Sequence, residues 1–434
     1  MSTATVQVIG GGLAGSEAAL QLASAGINVQ LFEMRPDVMT PAHKTGGLAE
    51  LVCSNSFKGN ALTSAHGLFK HELLEVGSKL LKLAQKCSIR AGESLAVDRV
   101  KFSELVENAI SSNPNIQLVR EEKSNLDSQT YTIIATGPLT SPTLSHWLMD
   151  KIGKKSLAFF DSISPVVDTD SIDFSHAYYK NRWEKGDTED FINCPLDEHT
   201  YHLFVDALTK ADTIEEKPFE KKELFEGCLP IEELARRGPQ TLSFGPMRPV
   251  GLMHPTTGEK PYAVLQLRAE NREKTLYNLV GCQTRLKQHT QKEIFQLIPA
   301  LRNATFARYG AMHRNTFIDS PSVLDNKLGL PGTRWFFAGQ LTGAEGYTEA
   351  VATGLFAATM VYNDMTNIKD FSWPSESCLG ALTKFLTLPN EQFQPMNLNF
   401  GLFPRPEKLK KSQKKEFIIS TRQNAMKDFR LPWE

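Results

Sequence analysis

Cysteine is scarce: the 434-residue chain has 6, none of them in a CxxC pair, which excludes a disulfide framework and a zinc ribbon. The 10 histidines show no HExxH or other paired spacing, so no metal is expected. No apolar run approaches the roughly 18–20 residues of a bilayer crossing, so no membrane contact is expected. Net charge is also nearly absent, −1 from 48 basic and 49 acidic side chains. Such a balance neither demands nor excludes nucleic acid. Met1-Ser2-Thr3-Ala4-Thr5 has no basic n-region, so no secretory signal is expected. Internal repeats and low-complexity tracts are missing. What is there, 41% hydrophobic and 22% charged residues, excludes a mostly disordered chain and fills a sizeable core. The expectation is a soluble, cytoplasmic, globular protein with reduced thiols and about two or three domains.

The first forty or so residues read as a βαβ unit. Val6-Gln7-Val8-Ile9 is a short strand, Ser16 to Ala25 has small and apolar residues at helix spacing, and Val29 to Glu33 is a second strand. Leu68, Leu73, Leu74, Leu80 and Leu81 recur at helix spacing up to Ala84. Tyr131 to Ala135 and Trp335 to Gly339 are continuous apolar runs, as in buried parallel strands. Between them lies a stretch richer in proline, aromatics and charge, with a strand at Tyr262 to Leu267. The predicted fold class is α/β, a Rossmann-like doubly wound domain with an inserted mixed α/β domain. Its first part is expected over 1–160, the inserted domain over 161–300, and its second part with a basic helical tail over 301–434. That tail carries Lys408, Lys410, Lys411, Lys414 and Lys415, which suit either a solvated helix face or an RNA-binding element.

Between the first strand and helix stands Gly10-x-Gly12-x-x-Gly15. Gly10 permits the tight turn, Gly12 lets a pyrophosphate reach the backbone, and Gly15 lets the helix pack on the strand, so the helix N-terminus faces the phosphates. Glu33 ends the second strand, placed for ribose hydroxyls; a carboxylate there disfavours a 2′-phosphate, leaving FAD or NAD. Two further segments select FAD. Ala135-Thr136-Gly137 resembles the second fingerprint of two-dinucleotide-fold flavoproteins. Gly339-Gln340 followed by Glu345-Gly346-Tyr347 resembles their C-terminal flavin segment, with Gln340 where many relatives carry Asp. No second GxGxxG exists, so a pyridine nucleotide would bind only transiently.

Cys53, in Val52-Cys53-Ser54-Asn55-Ser56, suits a buried small hydrophobe, or a thiolate favoured by Lys58. Cys228 precedes Leu229-Pro230-Ile231-Glu232-Glu233. Pro230 suits the first helical position, and a helix N-terminus there would lower the thiol pKa while the glutamates oppose it. Nucleophile and structural cysteine both remain open on spacing alone. The other four cysteines read as packing residues.

With these segments together, the chain resembles the folate- and FAD-dependent uracil-5 RNA methyltransferases. The resemblance is carried by Val8 to Ala18, Val52 to Ser56, Gly227-Cys228-Leu229-Pro230-Ile231-Glu232, Met312-His313-Arg314-Asn315-Thr316, Phe393 to Asn397 and Asn399 to Leu402. It implies transfer of a methylene group from 5,10-methylenetetrahydrofolate to C5 of an RNA uridine, then reduction to methyl by FAD with NADH or NADPH as reductant. The implied partner is tRNA at its T-loop uridine, with rRNA as the other target. The resemblance also gives Cys228 the attack on uracil C6 and puts Cys53 beside the flavin, as guard of the methylene or as acid–base at C5. Lys58 stands where relatives commonly have Arg. Arg285 stands where they often have His; if that His stacks on folate, Arg285 would do so through its guanidinium plane. Two alternatives remain open: a wobble-uridine carboxymethylaminomethyl-type FAD/folate enzyme, whose relatives are much longer, and a non-catalytic flavin-binding protein.

Overall fold

The computed structural model describes residues 5–152, 156–184, 190–213, 229–270, 274–390, 393–403 and 411–434. The side chains of 156–163, 184, 311–315, 411, 412 and 414 lie outside that description. Strand Val6–Ile9, helix Leu13–Ser24 and strand Val29–Phe32 follow one another as the sequence predicts, although the helix starts three residues earlier than Ser16. It can do so because Leu13 and Ala14 are buried, and Gly12 serves as its cap. In the stretch up to Ala84, Gly77 (φ +85) separates two helices, Ala65–Glu75 and Lys79–Lys86.

These elements build a five-stranded parallel sheet, in the order Trp335–Phe337, Thr132–Ile134, Val6–Ile9, Val29–Phe32, Ile116–Val119. Helices cover it, so Val6, Val8, Leu31, Ile133, Ile134 and Phe337 are buried together in one core. The strand order reverses at Val6–Ile9, whose neighbours come from early and late in the chain. Doubly wound sheets bind ligands in the crevice beyond the strand ends at such a point. Here the crevice opens between Gly10 and Ala135.

A second core lies in a six-stranded antiparallel sheet that includes Phe191–Leu196, Ala263–Ala269 and Leu276–Leu279. Tyr201, Phe204, Leu265, Tyr277 and Phe295 fill it. An antiparallel ribbon of Ser156–Ile163 and Ala311–Ile318 carries the chain out to this sheet and back. Strand Ser94–Val97 lies between the two cores. Leu95 and Val97 belong to the first, and Ala96, on the opposite face, to the second. The tail helix Lys411–Met426 is not simply a solvated face: Ile418, Arg422 and Met426, four apart, are buried. Lys408 and Lys410 lie outside the described residues. Among the described residues no helix is long and apolar enough to cross a membrane.

Candidate active site

A cleft of about 390 Å³ occupies the crevice at the strand-order reversal. Its wall begins at the first loop. Gly10 takes φ +102, and a side chain there would sit 2.6 Å from the Ala135 carbonyl, so the two strand ends meet closely only through glycine. A side chain at Gly15 would lie 1.8 Å from Gly10 O, which fixes the helix against the strand. Gly15 therefore packs the loop and does not line the cleft. Beside Gly12, by contrast, a Cβ would meet nothing within 4 Å. The cap has no side chain to satisfy the first-turn amides, so the helix N-terminus faces open space.

Glu33 lines the cleft with both oxygens engaged. Oε2 accepts the Gly11 amide at 3.0 Å, and Oε1 accepts the Arg35 amide at 3.0 Å and its Nε at 2.9 Å. Burial pushes this carboxyl up, but the Arg35 bonds and charge and the Gly11 amide outweigh it and hold it below the usual carboxylate range. On the opposite strand end, Thr136 Oγ1 pairs with Thr140 Oγ1 at 2.6 Å, and Gly137 turns with φ +67. Further along, the Gln340 amide donates to Glu345 at 2.6 Å, so the charge that Gln340 lacks stands next to it. Gly339, Gly346 and Tyr347 complete this side.

Cys53 is half-buried and lines the same cleft. Its loop is held from two directions. The Tyr347 hydroxyl accepts the amides of Cys53 and Ser54, each at 3.0 Å, and donates to Ser54 O at 2.9 Å. Burial pushes that hydroxyl up, with Cys53 adding to it, so it stays protonated and able to donate. From the start of the helix Arg99–Ser111, Arg99 donates to Leu51 O at 2.8 Å and pairs with Glu270, next to the second sheet's strand Ala263–Ala269, at 2.6 Å. Lys58, at φ +66, reaches Asn397 at the cleft wall.

Cys228 lies outside the described residues. The chain is described again from Leu229, and the Ile231 amide donates to Gln283 O, in the cleft wall, at 2.7 Å. Pro230 caps the helix Ile231–Arg236 and is not its first residue. Its glutamates have partners: Glu232 accepts the Arg285 amide at 2.9 Å and the Thr284 hydroxyl at 2.8 Å, while Glu233 pairs with Arg285 and Arg236. The Arg285 side chain is thus buried against carboxylates and does not line the cleft. Among the described residues no group of His, Cys, Asp and Glu could hold a metal ion.

Against known proteins, the family model described as "Glucose inhibited division protein A" matches residues 5–369. Proteins named "Methylenetetrahydrofolate--tRNA-(uracil-5-)-methyltransferase TrmFO" match almost end to end. That of Aquifex aeolicus is 50% identical over 94% of this chain and 92% of its own. That of Persephonella marina is 47% identical over 98% of each. This chain belongs to the TrmFO family. Its fold is also that of Aquifex aeolicus GidA, with a TM-score of 0.70 at 17% identity over 98% of this chain and 73% of that one. The fold class is accordingly the Rossmann-like α/β one.

Sequence reasoning missed several groups that shape this TrmFO cleft. Arg35, two residues beyond Glu33 on an extended segment, could have been paired with it by the period of two. The buried Lys70 could not. Its ammonium is caged by the carbonyls of Phe57 at 2.8 Å, Gly59 at 2.7 Å and His66 at 3.1 Å, under the Lys58 turn. Burial, then Lys58, brings Lys70 down to about 8 although Glu349 opposes the shift. Arg99, Arg268 and Arg308 were equally invisible, since they come from separate elements.

Proposed function

We propose that this protein transfers the methylene group of 5,10-methylenetetrahydrofolate to C5 of a tRNA uridine, the T-loop uridine, and completes it to a methyl group with reduced FAD. The observation that carries this reading is one cleft, at the sheet's switch point, lined by the dinucleotide loop, the Ala135-Thr136-Gly137 turn, the Gly339 to Tyr347 segment and Cys53. The residues fit FAD: open space beside Gly12 and an uncapped helix N-terminus suit a pyrophosphate. On this reading Gly10, Gly12 and Gly15 form the phosphate loop and Glu33 orients the ribose. Thr136, Gly137, Gly339, Gln340, Glu345, Gly346 and Tyr347 receive the flavin end. When bound and reduced by NADH or NADPH, FAD supplies the hydride that takes the carbon from methylene to methyl.

The protein's own side chains do the rest. Cys228 Sγ adds to uracil C6, the electron pair of the C5–C6 double bond makes C5 the nucleophile toward the methylene carbon, and that carbon's bonds to the folate nitrogens break, leaving tetrahydrofolate. Cys53 accepts the C5 proton or shields the reacting carbon, and loss of Cys228 from C6 restores the double bond. The described chain resumes at Leu229, and the Ile231 amide is bonded to Gln283 O in the cleft wall. The 161–300 domain is then the side that receives RNA.

The test pairs two variants with a T-loop RNA containing 5-fluorouridine. Cys228→Ala is expected to lose the covalent RNA complex and keep FAD. Cys53→Ala is expected to lose methylation and change the flavin spectrum. An active Cys228→Ala enzyme, or label reaching RNA from S-adenosylmethionine in place of folate, would overturn the reading.

A further inference from the structure

Where the second core meets the Cys53 loop, the described residues bring more guanidinium than carboxylate. Arg268 lines the cleft and is held through Nε by Asn55 Oδ1 at 3.1 Å. Asn55 is itself buried, and its amide donates to Ala269 O at 2.8 Å and Val97 O at 3.2 Å, so it cannot swing away. Arg308 comes from an edge strand of the same sheet. Its Nε and Nη2 are buried without a hydrogen-bond partner among the described residues. Glu270 Oε1 is 4.0 Å from that Nη2, too far for a bond, and Glu270 is already engaged by Arg99 at 2.6 and 3.0 Å. Among the described residues, three guanidiniums therefore share one carboxylate. Arg268 shares the cleft wall with Cys53, while Arg308 is outside that wall and stands by Glu270, whose partner Arg99 holds the Leu51 and Val52 carbonyls of the Cys53 loop.

A buried guanidinium with unmet donors is costly, and its planar fork matches carboxylate and phosphate oxygens. We propose that Arg268 in the cleft wall, supported by Arg308 at the neighbouring Glu270, forms an anion subsite beside Cys53 that takes one carboxylate or phosphate group of a substrate. The proposal rests on the methyl-transfer reading, under which both substrates carry such groups: the glutamate carboxylates of the folate and the phosphates of the RNA.

The experiment uses the full, flavin-loaded chain and three probes: tetrahydrofolate, tetrahydropteroate (the same rings without glutamate) and a T-loop hairpin RNA. Arg268→Gln and Arg308→Gln are compared with wild type, and flavin content checks the fold. If the subsite takes the carboxylate, each variant weakens tetrahydrofolate about tenfold or more and leaves tetrahydropteroate unchanged. If it takes a phosphate, each weakens the hairpin and lowers the salt slope of binding by about one, with the folates unchanged. Arg308→Lys, which keeps the charge and loses the fork, restores binding in part. Variants that bind all three probes like wild type overturn the subsite alone. A wild type that binds neither folate nor hairpin overturns the functional reading as well.

Discussion

At the scale of single residues, the cleft is unusual for the titratable groups packed behind it. His66 is held down to about 4 by burial and then by Lys58 and Lys70, while Glu349 stands 3.9 Å away. Its ordinary value is 6.5. Between those values the unfolded chain binds a proton that the folded chain does not, so this contribution makes stability rise with pH and is complete above 6.5. The expected outcome is a melting temperature that climbs between about pH 4 and 6.5, with a shallower climb in His66→Gln. Equal slopes in both proteins would show that His66 does not titrate in this way. Glu33 has the opposite origin but the same sign: its carboxyl is held low by Arg35, so its contribution is lost only at still lower pH.

Elements meet here through close contacts that tolerate little change. Gly15 sits where a Cβ would overlap the Gly10 carbonyl at 1.8 Å, so Gly15→Ala must push the first helix away from the strand. Such overpacking costs typically about 1–3 kcal/mol. The shift falls on the loop proposed to hold the pyrophosphate, so the variant is expected to purify with little flavin colour. Full flavin content would show that the loop absorbs the methyl group without moving. The tail helix is joined differently. Arg422 and Glu72 are 1% and 0% exposed and bonded at 2.9 Å, and Glu72 also accepts the amides of Cys378 and Leu379 at 2.8 and 2.9 Å. Removing only the cation leaves a buried carboxylate unpaired, at about 3–5 kcal/mol. Arg422→Met should therefore release the tail helix to limited proteolysis well before the core unfolds. Changing Glu72 to Gln in the same chain should recover part of the loss, and a double variant as weak as Arg422→Met alone would contradict this account.

For the whole molecule, the decisive feature is that one cleft draws its walls from both cores. Gly10, Glu33 and Gly339 belong to the parallel-sheet side, and Arg268 and Asn278 to the antiparallel sheet. A ligand filling that cleft stabilises the folded chain by mass action, about 2.7 kcal/mol at a hundredfold excess over its Kd. Removal of FAD is thus expected to lower the melting temperature by several degrees, with recovery on adding FAD back. A melting temperature indifferent to FAD would mean that the flavin lies elsewhere or is absent.

Legibility divided along the range of the interactions. The βαβ start, the glycine loop, Glu33 and the buried strands at Ile133 and Phe336 could be read from the chain, because turn chemistry and hydrophobic period act over a few residues. The tail helix was legible as a helix, but its buried face was not, since Arg422 pairs with Glu72, 350 residues away. The chemistry-bearing segments were also legible, as an arrangement of short motifs. Their convergence was not. That Tyr347 holds the amide of Cys53, 294 residues away, and that Arg268 reaches Asn55, 213 residues away, depends on how two cores pack across a shared strand. By itself the sequence determined the parallel sheet, its nucleotide-type loop and the candidate thiols, since each rests on local backbone preference and side-chain type. Only the tertiary structure decided that Arg285 is buried against Glu233, that Lys70 is caged beneath the Lys58 turn, and that guanidiniums outnumber carboxylates among the described residues beside Cys53. Those are outcomes of burial and charge between elements distant in the chain, and no spacing along a sequence encodes them.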